Sequence, residues 1–284
     1  MSNKPLFNKI CIVGVGLIGG SLGLAIKKRR LAKVVMGVVR RRKTGAEALR
    51  ARAVHGATMS LKHGVRGADL VLLCSPVSTI IAQMKILKRF LMPGAIVADV
   101  ASTKALIDTA ARKYLKGVRF VGSHPMAGSS HKGAQYADPD LFENTVCYLT
   151  SYEPSMERFW RALGAKVFYL SPERHDQWVA RTSHLPHVMA FAMFQSDNMR
   201  RLGRLGLEAT NPSIRDLARL SKSDPKLWAD ILISNKKEIM SALGEHEKAV
   251  RTLKKALGSQ RARAIEKFIQ KANRGSQRLA PKVV

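Results

Sequence analysis

Cysteine, acidic residues and aromatics are all sparse in this chain. Its 284 residues include three cysteines, Cys11, Cys74 and Cys147, with no paired spacing. That excludes a disulfide framework; Cys11 and Cys74 lie inside apolar runs, as reduced buried thiols of a cytoplasmic protein would. No stretch of about 18 uninterrupted apolar residues occurs, so no membrane span is expected. The apolar run over 10–26, behind Lys4 and Lys9, imitates a secretory leader. Glycines at 14, 16, 19, 20 and 23 interrupt it, Lys27-Lys28-Arg29-Arg30 ends it, and no A-x-A cleavage site follows, so no leader is expected. Aromatics are 6% of the chain, and no zinc-finger, RRM or KH pattern accompanies them. Acids number 20 against 49 lysines and arginines, a formal net charge of +29. Such a charge suits nucleic acid, an acidic surface or anionic substrates. The cations are spread along the whole chain, with small clusters at 27–30, 40–43 and 254–263. A generally basic surface is favoured over a dedicated nucleic-acid site, and a nucleic-acid-binding protein stays as the reading from a different class.

An apolar content of 46% is ordinary for a protein with a real core, and the length suits two domains. Lys9-Ile10-Cys11-Ile12-Val13 reads as a buried strand. It runs into Gly14-Val15-Gly16-Leu17-Ile18-Gly19 and then a helical pattern, the strand-then-helix context that a G-x-G-x-x-G turn needs to signal a dinucleotide site. Gly14 would make the turn, Gly16 would admit a pyrophosphate, and Gly19 would let helix and strand pack closely. Leu17 and Ile18 open the helix, whose free N–H groups favour phosphate. A second strand over 34–39 ends at Val39, where NAD-binding versions carry an acid for the ribose hydroxyl. Arg40-Arg41-Arg42-Lys43 follow instead, and Arg40 and Arg41 could take a 2′-phosphate. NADP is therefore expected over NAD, with a solvated turn and use of either cofactor as the plainer alternative.

Further strands are expected at 68–74, 94–100, 118–121, 146–150 and 165–170. The first ends at Ser75-Pro76, a loop past which a nicotinamide-side ribose could lie; the second ends at Ala101-Ser102-Thr103-Lys104. Phe120-Val121 leads into Gly122-Ser123-His124-Pro125-Met126-Ala127-Gly128-Ser129-Ser130, read as a loop that opens at Gly122 and holds one histidine between small residues. Strands alternating with helical stretches imply an α/β fold with a Rossmann-type, doubly wound parallel sheet, in which ligands sit beyond the carboxyl ends of the strands. The Gly14 turn, Ser75, Ser102 and His124 would share that edge.

Ser171-Pro172 is a helix start, serine as N-cap and proline in the first turn. From there the pattern is helical, which gives a dinucleotide-binding domain over 1–171 and an all-helical domain over 172–284. The tail from Gly275 is expected to fray. Ser183-His184-Leu185-Pro186-His187 puts two histidines on one helical face beside a proline break. Zinc would need a third ligand that the spacing does not supply, so no metal is expected. A packed histidine pair and a substrate contact both remain open. Arg215, Asp216 and Arg219 read either as a surface ladder or with Arg219 on a substrate carboxylate. Asp224-Pro225, with Trp228, starts another helix.

The segments VGVGLIGGSLGLAI, CSPV, DVASTK, VGSHPMAGS, ADPDLFEN, ERHDQWVARTSHLPH and IRDLARLSKSDPKLW, in that order, resemble the prephenate/arogenate dehydrogenase family of tyrosine biosynthesis. The resemblance implies oxidative decarboxylation of a cyclohexadienol by hydride transfer to a nicotinamide. His124 would accept the hydroxyl proton and Ser102 would hydrogen-bond both. His187 and Arg219 match substrate-binding positions, with Arg219 on a carboxylate. Ser129, His184 and Trp228 are further candidate contacts, and Asp216 lies near the pocket, from either subunit of a dimer formed through the helical domain. Many members carry an acid just after the HPxxG[S/T] run; here it continues Ser130-His131-Lys132. Prephenate is therefore expected over arogenate, whose ammonium would favour a carboxylate such as Asp216 or Glu143. A β-hydroxyacid dehydrogenase shares the plan but relies on a lysine that the SHLPH segment does not offer.

Overall fold

A computed structural model describes residues 4–128, 131–197, 199, 201 and 212–279. They form two compact units, Met1–Lys236 and Lys237–Val284.

The first unit is built on eight strands: β1 Phe7–Val13, β2 Ala32–Val38, β3 Gly56–Thr58, β4 Leu70–Leu73, β5 Ile96–Asp99, β6 Arg119–Pro125, β7 Val146–Leu149 and β8 Lys166–Tyr169. Their order in the sheet is β3-β2-β1-β4-β5-β6-β7-β8. Neighbours run parallel except β6 and β7, which are antiparallel. The central strands bury both faces, so they read as continuous apolar runs. Ile10, Ile12, Leu70 and Leu72 enter one core, Cys11, Val13, Val71 and Leu73 the other. The helices that cover the sheet include α1 Leu17–Lys28, α2 Arg42–Arg50, α3 Leu61–Val65, α4 Val77–Leu87, α5 Ala105–Tyr114 and α6 Pro154–Ala162.

β6 corrects one expectation. The strand does not open at Gly122 but continues through His124 to Pro125, paired with Leu149, Tyr148 and Cys147 of β7. Gly122 is small for a packing reason: a Cβ there would lie 2.8 Å from the Thr150 methyl and 3.1 Å from Lys104 Cδ. His124 is thus held by a sheet ladder rather than by a loop.

Helices follow the last strand within the same unit. Ser171 accepts the Arg174 N–H at the start of α7 Pro172–Val179. A π-helical turn, Ala180–His184, then leads into α8 Leu185–Gln195, with Pro186 in its first turn. The proline has no N–H to give to the preceding turn, and the break expected at Pro186 takes this widened form. Next come α9 Pro212–Ser221 and α10 Pro225–Ser234, the latter capped by the Asp224 carboxylate on Leu227 N at 2.7 Å. The second unit carries α11 Lys236–Gly258 and α12 Ala262–Leu279. The last helix runs through Gly275, where fraying was expected. Among the described residues no helix is long and apolar enough to cross a membrane.

Candidate active site

The carboxyl ends of β1, β4, β5 and β6 meet along one edge of the sheet and form a wall of a cleft of about 910 Å³. Gly16, Leu17 and Ile18 line it from the start of α1, Ser75 and Pro76 from the end of β4, Ser102 from the end of β5, and His124 from β6. The opposite wall carries His187 of α8, Arg219 of α9, and Trp228 and Asp230 of α10.

The glycine turn has the geometry a dinucleotide needs. Gly14 has φ +98°, and a Cβ there would meet the Cys74 carbonyl at 2.8 Å. A Cβ on Gly19 would lie 2.1 Å from the Gly14 carbonyl oxygen, so only glycine lets α1 start this close to β1. Gly16 caps α1 without a side-chain hydrogen bond and has open space where a Cβ would be. The first N–H groups of α1 are left for an anionic ligand, and the residues present fit a dinucleotide pyrophosphate. Gly14 N donates to Val38 O at 2.9 Å, which sets the end of β2 beside the turn. Arg40 and Arg41 follow there, exposed, and do not line the cleft.

His124 is 9% exposed. Its Nδ1 lies 2.8 Å from Nε2 of His175, and Nδ1 of His175 lies 2.8 Å from Oδ1 of Asp176. Both partners are buried. Asp176 also accepts the Lys104 N–H at 2.7 Å and the Ala105 N–H at 2.9 Å, which fixes α7 against the start of α5. Beside this row lies a buried ion pair, Lys104 with Asp99, and Lys104 Nζ donates to Ser123 O at 2.8 Å. Burial, with His175, Lys104 and His184 adding in that order, holds the His124 imidazole well below its ordinary value of 6.5. The ring is neutral at neutral pH and able to accept a proton.

On the helical wall His187 stacks on Trp228, ring centroids 3.9 Å apart and planes at 24°. Its Nδ1 donates to the Ser183 carbonyl at 2.8 Å, which leaves Nε2 as the other polar atom of a ring that lines the cleft. His184 departs from its expected role. It is 2% exposed, meets Trp228 edge-on at 5.9 Å, and accepts from Asn235 Nδ2 at 3.2 Å. It supports Trp228 from behind rather than lining the cleft. Ser129 lies outside the described residues, one position past cleft-lining Gly128. The acids considered from sequence are elsewhere: Glu143 pairs with Arg29, and Asp216 does not line the cleft. Those that do are Asp224, ion-paired with Lys132, and Asp230. Asp230 accepts the Ser78 N–H through Oδ1 at 3.3 Å, while its Oδ2 is buried with no partner among the described residues.

Comparison with known proteins decides the lineage. The chain matches the family model for the prephenate dehydrogenase nucleotide-binding domain over residues 22–169 and that for the prephenate dehydrogenase dimerization domain over 171–271. The chain belongs to the prephenate dehydrogenase family. It is 30% identical over 270 residues to a prephenate dehydrogenase of Lactococcus lactis, covering 94% of this chain and 76% of that protein. Among solved structures, prephenate dehydrogenase from A. aeolicus, in complex with hydroxyphenyl propionate and NAD+, superposes with a TM-score of 0.84 at 27% identity, covering 96% of this chain and 98% of that one. Synechocystis arogenate dehydrogenase gives 0.78 at 28% identity, covering 96% and 100%. Family membership makes the chain an NAD(P)-dependent dehydrogenase.

Sequence reasoning missed His175, Asp176, Lys104 and Asp99. The pair His175-Asp176 sits in a stretch that matched the family only as a string. Nothing in its spacing ties it to a histidine 51 residues earlier.

Proposed function

We propose that the chain is a prephenate dehydrogenase that converts prephenate to 4-hydroxyphenylpyruvate and prefers NADP to NAD. The observation that carries this reading is the sharing of one cleft by buried, neutral His124, by Ser102, by His187 and Arg219, and by the open start of α1. A bound nicotinamide dinucleotide would supply the hydride acceptor. His124 takes the proton of the ring hydroxyl as the carbon bearing it loses hydride. The ring carboxylate then leaves as carbon dioxide, and the electrons of the broken C–C bond complete the aromatic ring. Ser102 hydrogen-bonds the hydroxyl and keeps it on His124. Arg219 takes a carboxylate, for which its planar fork is suited. His187, oriented by Ser183 and Trp228, offers its other ring nitrogen to the substrate, and Ser129, outside the described residues, is retained as a substrate contact.

The cations Arg219, Lys222 and Lys132 line the cleft, and Lys132 occupies the Asp224 carboxylate. That balance suits the dianion prephenate. Arogenate is the second reading, and one observation favours it: the Oδ2 of Asp230, buried and without a partner among the described residues, would accept an ammonium. Prephenate and arogenate crossed against NAD and NADP, followed by the absorbance of reduced nicotinamide, test the proposal. Prephenate with NADP should give the highest kcat/KM; no turnover of either substrate would end it.

We also infer a functional division at 171/172 and a homodimer through the helical half. Met240, Val250, Leu257 and Ile269 are exposed on α11 and α12, and the matched dimerization model reaches residue 271. Light scattering that returns a monomer mass at micromolar concentration would refute the dimer.

A further inference from the structure

We propose that His175 and Asp176 are positioning residues that set the tautomer of His124, so that its Nε2 is the bare nitrogen presented to the cleft. The inference rests on the reading of His124 as the base and adds how the fold prepares it.

Both oxygens of Asp176 accept backbone N–H groups, Oδ1 from Lys104 and Oδ2 from Ala105, and these groups can only donate. An acceptor-only carboxylate requires His175 Nδ1 to donate to it. Burial pushes the His175 imidazole below its ordinary value, against the pull of Asp176 and with Lys104 acting in the same direction as burial, so the ring is neutral and carries one proton. With that proton on Nδ1, Nε2 of His175 is an acceptor. The contact of 2.8 Å to His124 then requires His124 Nδ1 to carry the hydrogen. His124, neutral in its turn, keeps Nε2 bare.

The same row of donors gives Asp176 a task during turnover. When Nε2 takes a proton, the new imidazolium donates to His175, which in turn donates to Asp176. The carboxylate thereby steadies the charge through one intervening ring without touching the substrate, in the manner of an orienting acid behind a catalytic histidine. Tyr148 packs edge-on to His175 at 5.9 Å and limits its rotation. Nearby Lys104 is held by Asp99 and Ser123 and so does not take a place in the row.

Two readouts test this. The first is the 15N spectrum of the histidine-labelled protein without substrate or cofactor. His124 should show a protonated Nδ1 and a bare Nε2 near neutral pH. The second is steady-state kinetics of two variants. His175→Leu removes the acceptor and should lower kcat about 10–100-fold with KM changed less than about threefold, and should leave a mixture of His124 tautomers. His175→Gln places a side-chain oxygen where Nε2 was and should restore the Nδ1–H tautomer and most of kcat. A wild-type His124 protonated on Nε2, or a His175→Leu protein with unchanged tautomer and unchanged kcat, overturns the proposal. If His175→Leu does not fold, the wild-type and His175→Gln spectra decide. The spectra are read without any reaction, so a failure of the proposed substrate leaves the tautomer test standing, and a wrong tautomer leaves the substrate test standing.

Discussion

On the sheet wall of the cleft, the groups that bear chemistry sit at the ends of strands, close to the backbone. They are the Gly14 turn, Ser75, Ser102 and His124. On the helical wall they are long side chains carried by helices: His187, Arg219 and Trp228. The two walls come together for different reasons. A parallel sheet puts its strand ends on one edge by topology, whatever lies between the strands in sequence. The helical wall comes together only by packing, with Trp228 set between the edge of His184 and the face of His187. The sheet wall should therefore hold the chemical step and the helical wall the substrate.

The largest test of that contrast falls on His124. His124→Asn should lower kcat at least about 100-fold and leave cofactor binding nearly unchanged. Turnover like that of the wild type would remove His124 from the mechanism and move the chemistry off the sheet wall. On the helical wall, Arg219→Ala should raise the KM for substrate about 10–100-fold while kcat falls far less, because a carboxylate contact is made alike in ground and transition states. An unchanged KM would sink that role, and a fall in kcat alone would erase the contrast between the walls.

The same contrast explains what could be read from the sequence. The Gly14 turn, Ser75, Ser102 and His124 were legible because each follows an apolar run of strand length. Gly122 misled: a glycine before a histidine looked like a loop opening, but it is small to admit Thr150 and Lys104 inside a strand. β3 is three residues long and gave no pattern to find. His187, Arg219 and Trp228 were named chiefly through family resemblance, since helical spacing shows which residues share a face and not which face meets the cleft. His175 and Asp176 were invisible, because the contact that matters joins two segments far apart in the chain.

Behind the helical wall, His184 makes stability depend on pH. Burial lowers its imidazole from 6.5 to about 4, and it accepts from Asn235 Nδ2, which only an unprotonated nitrogen can do. Between those two values the unfolded chain binds the proton and the folded chain does not, so this contribution is present above 6.5 and is lost as pH falls towards 4. Going from neutral to about pH 5 should cost about 2 kcal/mol from His184 alone, and buried His124 and His175, lowered for the same first reason, add in the same direction. Urea denaturation at the two pH values measures it. His184→Asn should flatten the dependence, and equal stability at both pH values in the wild type would contradict the burial argument.

The smallest effect is expected outside the cleft lining, at Arg40 and Arg41 beyond the end of β2. Val39 stands where an acid would hold a ribose hydroxyl, and Gly14 N on Val38 O ties this end of β2 to the phosphate turn. Both arginines are exposed, so water and salt weaken any contact with a 2′-phosphate. The double change Arg40→Ala, Arg41→Ala should raise the KM for NADP about 3–10-fold and leave that for NAD within about twofold. The difference should shrink as ionic strength rises, because it comes from exposed charge. An equal rise for both cofactors would show that the arginines act on a part the two share, and equal use of NADP and NAD by the wild type would show that the missing acid at Val39 selects neither.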